Sequence, residues 1–356
     1  MTVPDATHRT VDFGERTVVV RRRRAALRWR VRSLVVCAAI LMVTLAVSVT
    51  ALFLGGYSVS LSQVWAVVTG DPDAGFASVV ILEWRVPRAL AAATFGAALG
   101  ASGAVFQSLT RNPLASPDII GFSAGSYTGA LVVIIVIGGT YLEQAAGAIV
   151  GGLVTAAVVY AVAWRGGAQG FRLIVVGIAV AAMLGSFNTW LMLTADMEVA
   201  MSATSWGAGS LTGIGWTEAG IGSAVALTLL GILALLAPGL RQLELGDDAA
   251  RSTGVRAEPI RLGAIVVGVA LTAAVTAAAG PIAFISLAAP QIARRLTRSP
   301  GIAVAPAALT GALLLAAADV IGQHVLPTSA PVGVVTVVVG GSYLVWLIVR
   351  EVRRRT

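Results

Sequence analysis

The chain alternates long apolar runs with short polar segments, and this pattern predicts a bundle of membrane-spanning helices. About 20 helical residues cross a hydrocarbon core of about 30 Å, and most of the runs reach that length. An outer-membrane barrel would instead show weaker alternating segments of about ten residues. We expect an all-α polytopic membrane protein with ten transmembrane helices, at roughly 33–54, 87–109, 116–137, 143–164, 172–194, 221–238, 262–279, 282–292, 302–321 and 331–350.

Arginines mark one side of this predicted bundle. They cluster in the N-terminal tail, at 111, 165 and 172, along 241–261, at 294–298 and at the C-terminus. Cytoplasmic loops are enriched in basic residues, and a ten-helix count from a cytoplasmic start places all these clusters inside. Both termini are therefore expected in the cytoplasm. Arg85 and Arg88 are the exceptions, because the same count places them on the outer face.

The membrane domain, 34–350, lies between a polar, strongly basic N-terminal tail, 1–33, and a short C-terminal tail, 351–356. Beside a membrane helix, a basic tail favours an anchor on anionic lipid, with a nucleic-acid patch and a secretory signal as the alternatives. The apolar run that follows is longer than a signal core and lacks a clear small-residue cleavage site. We therefore interpret it as the first membrane helix.

Two polar segments interrupt the helices. Residues 195–220 combine glycine with tryptophan, which is typical of a short helix and loop at the membrane surface. Residues 240–261 are predicted to face the cytoplasm, and within them residues 243–255 read as one short helix. It has acids in its first turn, arginine in its last turn and glycine at its end. Its position makes this helix a candidate docking element for a cytoplasmic partner.

Small residues recur at four-residue spacing along several helices, for example Gly121, Gly125 and Gly129. Such stripes let helix backbones approach closely, so they predict helix packing. Few acids lie in the apolar runs. Asp118 is expected to start the third helix rather than to carry protons. Asp319 is expected to cap or pair locally, with a proton relay as the alternative.

Composition narrows the chemistry. Hydrophobic residues make up 57% of the chain and charged residues 12%, and the mean hydropathy is +0.87. All 25 basic residues are arginine, so the chain has no phosphate-loop lysine and no Schiff-base lysine. One cysteine, Cys37, and two histidines, His8 and His324, cannot build a zinc site. The chain is therefore not expected to hydrolyse ATP itself or to hold a metal.

Five short motifs stand in order along residues 34–350. They are Arg85-Val86-Pro87-Arg88 with Gly96, Gly100 and Gln107; Asn112, Pro113 and Gly121; Leu245, Gly246, Ala250, Arg251 and Gly254; Gly280, Pro281 and Pro290; and Pro331, Gly333, Thr336 and Gly340. Together they resemble the FecCD family of ABC-transporter permeases, which import iron–siderophores, haem and cobalamin. Each motif is weak alone, and their common order makes the resemblance specific.

The resemblance implies site residues and partners. Arg85 and Arg88 would dock an extracytoplasmic substrate-binding protein. The ATPase-coupling residues would be Leu245, Gly246, Asp247, Asp248, Ala250, Arg251 and Gly254, while Asn112, Pro113, Gly121, Gly125, Gly280, Pro281 and Pro290 would be structural. Two ATPase subunits would bind the ATP, no cofactor would bind this chain directly, and nucleic acid is not an expected partner.

The family also implies an architecture: two inverted repeats, helices 2–5 and 7–10, working by alternating access in the bacterial cytoplasmic membrane. Helix 5, the surface helix after it and helices 8 and 10 would line the path. A family docking arginine is replaced here by Gln323 and His324, which favours a heterodimer with a second permease over a homodimer. An iron–siderophore is the favoured substrate. Haem, cobalamin and an ion-coupled secondary transporter are the alternatives, and a membrane enzyme lacks a catalytic cluster.

Overall fold

A computed structural model describes residues 17–22, 25–71, 75–163, 170–301 and 303–355. Parts of the predicted basic tail lie outside these residues, as do Arg165 and the last residue of the C-terminal tail. The described part of the N-terminal tail is an antiparallel hairpin of β1 (Thr17–Arg22) and β2 (Ala25–Arg30). Helix α1 (Val31–Ala51) follows directly. Near this junction Arg32 Nε donates to the carbonyl of Leu296 at 3.1 Å, so the N-terminal segment contacts the bundle.

The remaining described helices account for most of the chain. They are α2 (Leu61–Thr69), α3 (Phe76–Thr110), α4 (Phe122–Ile137), α5 (Tyr141–Ala163), α6 (Gly170–Thr194), α7 (Met197–Gly207), α8 (Trp216–Leu243), α9 (Asp247–Ser252), α10 (Ala257–Ala279), α11 (Ile285–Thr297), α12 (Val304–His324) and α13 (Val332–Arg355).

Seven of the described helices, α1, α3, α5, α6, α8, α10 and α12, are long and apolar enough to cross a membrane. Shorter apolar helices are α4 and the Val332–Trp346 part of α13, and α11 is a 13-residue helix. Together they occupy the ten places that the apolar runs predict. The expected all-α polytopic membrane protein is confirmed, with the N-terminal hairpin as an addition that the sequence analysis did not predict.

Two helix starts differ most from the prediction. The second membrane helix, α3, begins at Phe76, ahead of Pro87, through a π-helical segment Val79–Arg85. A widened turn accommodates the ring and missing N–H of a proline that would otherwise mark a helix start. The third, α4, begins at Phe122 rather than near 116, because Gly121 takes a left-handed conformation (φ 88°). Asp118 lies in the preceding turn and accepts a bond from Ser123 Oγ at 2.6 Å.

The helix packing has the symmetry that inverted repeats require. If helices 2–5 correspond to helices 7–10, the contact of helix 2 with helix 9 must have a counterpart between helices 7 and 4. The structure contains both, as α3 against α12 and α10 against α5. The contacts of α4 with α5 and of α11 with α12 form a second such pair. The sequence halves show this relation only faintly.

Helices α3 and α10 form the centre of the bundle. In the most apolar 18 residues of each helix, the buried share is 72% in α3 and 78% in α10, against 11% in α1 and in α6. Glycines bring α3 close to its neighbours. A Cβ on Gly96 would lie 2.4 Å from the carbonyl oxygen of Gly311 in α12, and one on Gly103 would lie 1.7 Å from that of Ser286 in α11. The predicted packing role of the small-residue stripes is confirmed at Gly96, and at Gly125 and Gly129 of α4, where an added Cβ would meet α5.

Candidate functional site

The first candidate site surrounds Arg85 and Arg88, at the end of α3 that the arginine distribution assigns to the outer face. The π-helical segment ends at Arg85 and regular α-helix follows from Val86, so the two arginines lie one turn apart on the same face. Val80, Ile81 and partly buried Val86 pack in a small apolar cluster beneath them. The α3 backbone therefore determines the positions from which both arginine side chains extend.

Arg85 is bound to the loop between α1 and α2. Its Nη1 donates to the carbonyl of Leu52 and its Nη2 to that of Tyr57, each at 2.7 Å. Nη2 also lies 2.6 Å from the place a Cβ on Gly55 would take, so the loop wraps closely around the guanidinium. Arg85 thus stabilises the loop that follows α1, in addition to any contact it makes outside the chain.

Arg88 forms a bidentate ion pair with Asp319 of α12. Its Nε donates to Oδ2 at 2.8 Å and its Nη2 to Oδ1 at 2.6 Å, and the two side chains are 20% and 10% exposed. Parallel bonds of this kind are among the stronger hydrogen bonds in proteins. Asp319 is paired, as expected, with a neighbouring side chain in the fold. That partner, Arg88, lies 231 residues away in the sequence.

The pair borders a cavity of about 360 Å³ that Arg85 and His324 also line. Gln323, which precedes His324 in α12, instead donates to Thr212 Oγ1 at 3.3 Å. Two arginines face one carboxylate around the cavity, so the described groups leave an excess of positive charge. Such a surface attracts and orients an acidic partner.

The sequence predicts one short helix over 243–255, but Leu243 is the last residue of α8. The second candidate site is α9, a shorter helix in the rest of this segment. It spans Asp247–Ser252, between Gly246 (φ 116°) and Gly254 (φ 81°). Asp247 and Asp248 occupy its first turn and Arg251 its last turn, as the sequence predicts. The glycines adopt conformations that other residues disfavour, so they fix both ends of the helix.

The two faces of α9 differ in exposure. Ala250 is buried in a small apolar cluster with Leu243 and Ala257. On the other face Leu245, just before the helix, is 77% exposed, and the side chains of Arg251 and Asp248 are 67% and 103% exposed. The exposed ion pair between these two, at 3.7 Å, contributes little stability. Three of the predicted coupling residues are thus free to meet a partner.

A network of charged side chains ties the buried face of α9 to the membrane helices. Arg261 of α10 donates through Nη2 to both carboxylate oxygens of Asp247, at 2.7 and 2.8 Å, and through Nη1 to Glu258 at 3.0 Å. Glu258 in turn accepts a bond from the hydroxyl of Tyr160 in α5. The Arg261 guanidinium holds the pKa of the Asp247 carboxyl below its ordinary value.

The segment just before α9 is bound to the end of α3. Arg111 Nη2 donates to the carbonyl of Leu243 at 2.9 Å, and Ser108 Oγ donates to Glu244 at 2.8 Å. Four residues of this site were not predicted from the sequence: Ser108, Glu258, Arg261 and Tyr160. A signal existed for one pair, since Glu258 and Arg261 stand three residues apart at a helix start.

Most of the predicted structural residues lie at helix ends or in turns, whereas Gly125 lies within α4 and packs against α5. Asn112 accepts a bond from the amide of Leu114 at 2.9 Å, which shapes the turn that continues through Pro113. Gly280 ends α10 with φ 70°, and a Cβ there would meet the carbonyl oxygen of Trp206 at 2.1 Å. Pro281 follows Gly280 directly, and Pro290 lies buried inside α11.

Residues 30–350 match the model of the FecCD transport family. The chain belongs to this family. It is 46% identical over 325 residues to the ferric enterobactin transport system permease protein of Escherichia coli (strain K12), covering 91% of this chain and 98% of that protein. It is 34% identical over 318 residues to the achromobactin transport system permease protein of Dickeya dadantii (strain 3937), with coverage of 87% and 90%.

A solved structure supports the same placement for this FecCD chain. A transporter assigned to the metal-chelate ABC type, in an inward-facing conformation, superposes with a TM-score of 0.77 at 25% identity. The match covers 89% of this chain and 99% of that one. The FecCD chain is therefore a multi-pass membrane permease subunit and not itself an enzyme. Membership implies that it works with an ATPase and a binding protein.

Proposed function

We propose that this chain is the permease subunit of an importer that carries a ferric siderophore from an extracytoplasmic binding protein into the cytoplasm. The observation that carries the substrate class is the 46% identity, over 91% of the chain, to a permease of ferric enterobactin. The proposed mechanism is alternating access: ATP closes two ATPase subunits, the coupling helices move, and the path between two permeases opens to the other side.

Arg85 and Arg88 are proposed to dock the binding protein. The excess positive charge around their cavity supports this role. Arg88 already holds Asp319 through both of its bonds, at 2.8 and 2.6 Å, so an incoming carboxylate must share the guanidinium or replace Asp319. Arg85 donates its two bonds to the backbone carbonyls of Leu52 and Tyr57, so its charge is less compensated than that of Arg88.

The exposed face of α9 is proposed to sit in a cleft of an ATPase subunit. Leu245, Asp248 and Arg251 supply one apolar and two charged contacts on a helix whose opposite face is held. Because a six-residue helix has little stability of its own, its position follows whatever its two faces contact. This arrangement supports α9 as the element that moves with the ATPase.

Helix α6 is proposed to line the path and to meet a second permease. It exposes large apolar side chains along its length, including Phe171, Met183, Trp190 and Leu193. A helix so little buried within its own chain is expected to contact lipid or another subunit. We favour a heterodimer, because Gln323 and His324 stand where the family carries another docking arginine. Both termini are proposed to lie in the cytoplasm, in line with the arginine distribution.

The proposal is tested by reconstituting the assembled complex, with its ATPase and binding protein, in liposomes. Binding protein loaded with ferric enterobactin should stimulate ATP hydrolysis and drive radioactive iron into the liposomes. An ATPase subunit unable to hydrolyse ATP serves as the control and should abolish both signals. Ferric citrate and haemin, loaded in parallel, separate the substrate classes. Stimulation by haemin alone would replace the siderophore assignment, and no stimulation by any substrate would refute import.

A further inference from the structure

One arginine joins the helix α9 itself to the membrane helix that follows it. Arg261 is 9% exposed and lies at the start of α10. Its planar guanidinium donates hydrogen bonds to Asp247 of α9 and to Glu258 of α10, at 2.7 to 3.0 Å. Such a fork fixes direction as well as distance, which a point charge such as lysine does not.

The other attachments of α9 are weaker. Its buried apolar contact is a single alanine, Ala250, and its own ion pair between Asp248 and Arg251 is exposed and 3.7 Å long. A helix of six residues cannot hold its place by backbone bonds alone. The orientation of α9 relative to α10 therefore depends on the bond between Asp247 and Arg261.

The same arginine reaches a second membrane helix. Glu258, which Arg261 holds at 3.0 Å, accepts the hydroxyl hydrogen of Tyr160 in α5. Helices α5 and α10 pack on each other, and in the inverted-repeat relation they are helices 4 and 7. Loss of Arg261 would break the links from α9 to both helices at once and leave Asp247 and Glu258 without the cation they share. The segment before α9 would still be bound to the end of α3 through Arg111 and Ser108.

We propose that Arg261 is the positioning residue that transmits movement of α9 to α10 and, through Glu258 and Tyr160, to α5. This inference rests on the proposed function, since it assigns the route by which ATP hydrolysis reaches the membrane path. Arg261 touches neither substrate nor ATPase in this scheme. It acts through Asp247, whose helix meets the ATPase.

The test measures iron imported per ATP hydrolysed in the reconstituted complex. Misfolded complexes contribute to neither quantity, so a purely structural defect leaves this ratio unchanged. Arg261→Gln should lower the ratio by about fivefold or more, the lower range of typical coupling energies. Arg261→Lys should keep part of it, because an ammonium pairs with Asp247 without bridging both carboxylates. Arg353→Ala, which removes an exposed arginine from the end of α13, is the control and should keep the wild-type ratio.

Two further variants test the route. Asp247→Asn should lower the ratio as Arg261→Gln does, and the double variant should be no worse than either single one, since both break the same bond. Tyr160→Phe, which removes one hydroxyl, should give an intermediate ratio. Equal loss of import and hydrolysis in Arg261→Gln, or additive losses in the double variant, would overturn the inference. Wild-type complex without any stimulated hydrolysis would instead refute the proposed function, and the inference with it.

Discussion

Removing either partner of the ion pair between Arg88 and Asp319 should lower stability. The two removals should change docking of the binding protein in opposite directions. Arg88→Ala leaves the Asp319 carboxylate, 10% exposed, without its two bonds. Breaking a buried pair in this way costs about 3–5 kcal/mol, and hydration from the adjoining cavity reduces this to an expected ~2–4 kcal/mol. Asp319→Asn keeps one acceptor for Arg88 and should cost about 1–2 kcal/mol. Both variants should therefore unfold at lower temperature than the wild type.

Docking separates the two variants if Arg88 contacts the binding protein. Arg88→Ala removes a cation that a partner carboxylate would use, a loss of about 2 kcal/mol or more, or roughly 30-fold in affinity. Asp319→Asn removes the internal competitor for that cation. We expect binding up to about tenfold tighter, equivalent to ~1.4 kcal/mol. A stability loss combined with a docking gain is a result that simple misfolding cannot produce.

The assay is binding of fluorescent, substrate-loaded binding protein to the complex in lipid nanodiscs, with thermal unfolding measured on the same samples. Glu83→Gln is the matched control, since it removes an exposed carboxylate on the same helix. It should leave stability unchanged. Weakened docking in both Arg88→Ala and Asp319→Asn, in step with their lost stability, would show that the pair only joins α3 to α12. Unchanged docking in Arg88→Ala would remove Arg88 from the docking surface altogether.

Three further predictions follow from packing, exposure and charge. Gly103→Ala places a methyl group 1.7 Å from the carbonyl oxygen of Ser286, so purified yield and melting temperature should fall sharply. Gly231 has open space around it, so Gly231→Ala should leave both quantities unchanged. Leu245→Ala and Asp248→Ala should keep the melting temperature of the isolated permease but weaken co-purification of the ATPase, because both side chains are exposed; retained co-purification would exclude this face. The bond from Arg261 lowers the pKa of Asp247, so its contribution to folding stability is present above the ordinary carboxyl pKa and is lost as pH falls through the lower pKa of the folded state. Asp247→Asn should therefore weaken the pH dependence of acid unfolding below about pH 4. An unchanged acid-unfolding profile would contradict the role of this bond.

The membrane helices could be predicted because lipid imposes strong local constraints. A span must be long and apolar, and helices that pack in lipid need small residues at their contacts. Gly96 and Gly100 of α3 accordingly lie against the backbone of α12. The C-terminal end of α9 was also predictable, since Gly254 is a local signal that needs no distant partner, whereas the start was predicted at 243 and lies at Asp247. These features depend on residues within a few positions of each other.

The charge pairs between distant residues of both sites could not be predicted, because sequence spacing does not encode them. Arg88 and Asp319 stand 231 residues apart and meet only because α3 packs on α12. Arg261 meets Asp247 only once the turn between α9 and α10 has folded back. The hairpin of β1 and β2 was missed for a different reason: its valine run is a strand signal, and the surrounding arginines led us to interpret the segment as a tail.

Helix α3 connects the two candidate sites, and its packing determines how they can communicate. Its regular part, Val86–Thr110, has 25 residues and so spans roughly 37 Å. Arg88 near one end binds Asp319 of α12, while Ser108 and the adjoining Arg111 at the other end bind the segment before α9. Between these ends its glycines set the backbone directly against α12 and α11, so α3 has little room to bend independently. A force on the outer pair is therefore expected to move α3 and α12 together, and to reach α9 as a shift of whole helices. Packed interfaces of this kind change between discrete arrangements, which suits a permease that must open to one side or the other.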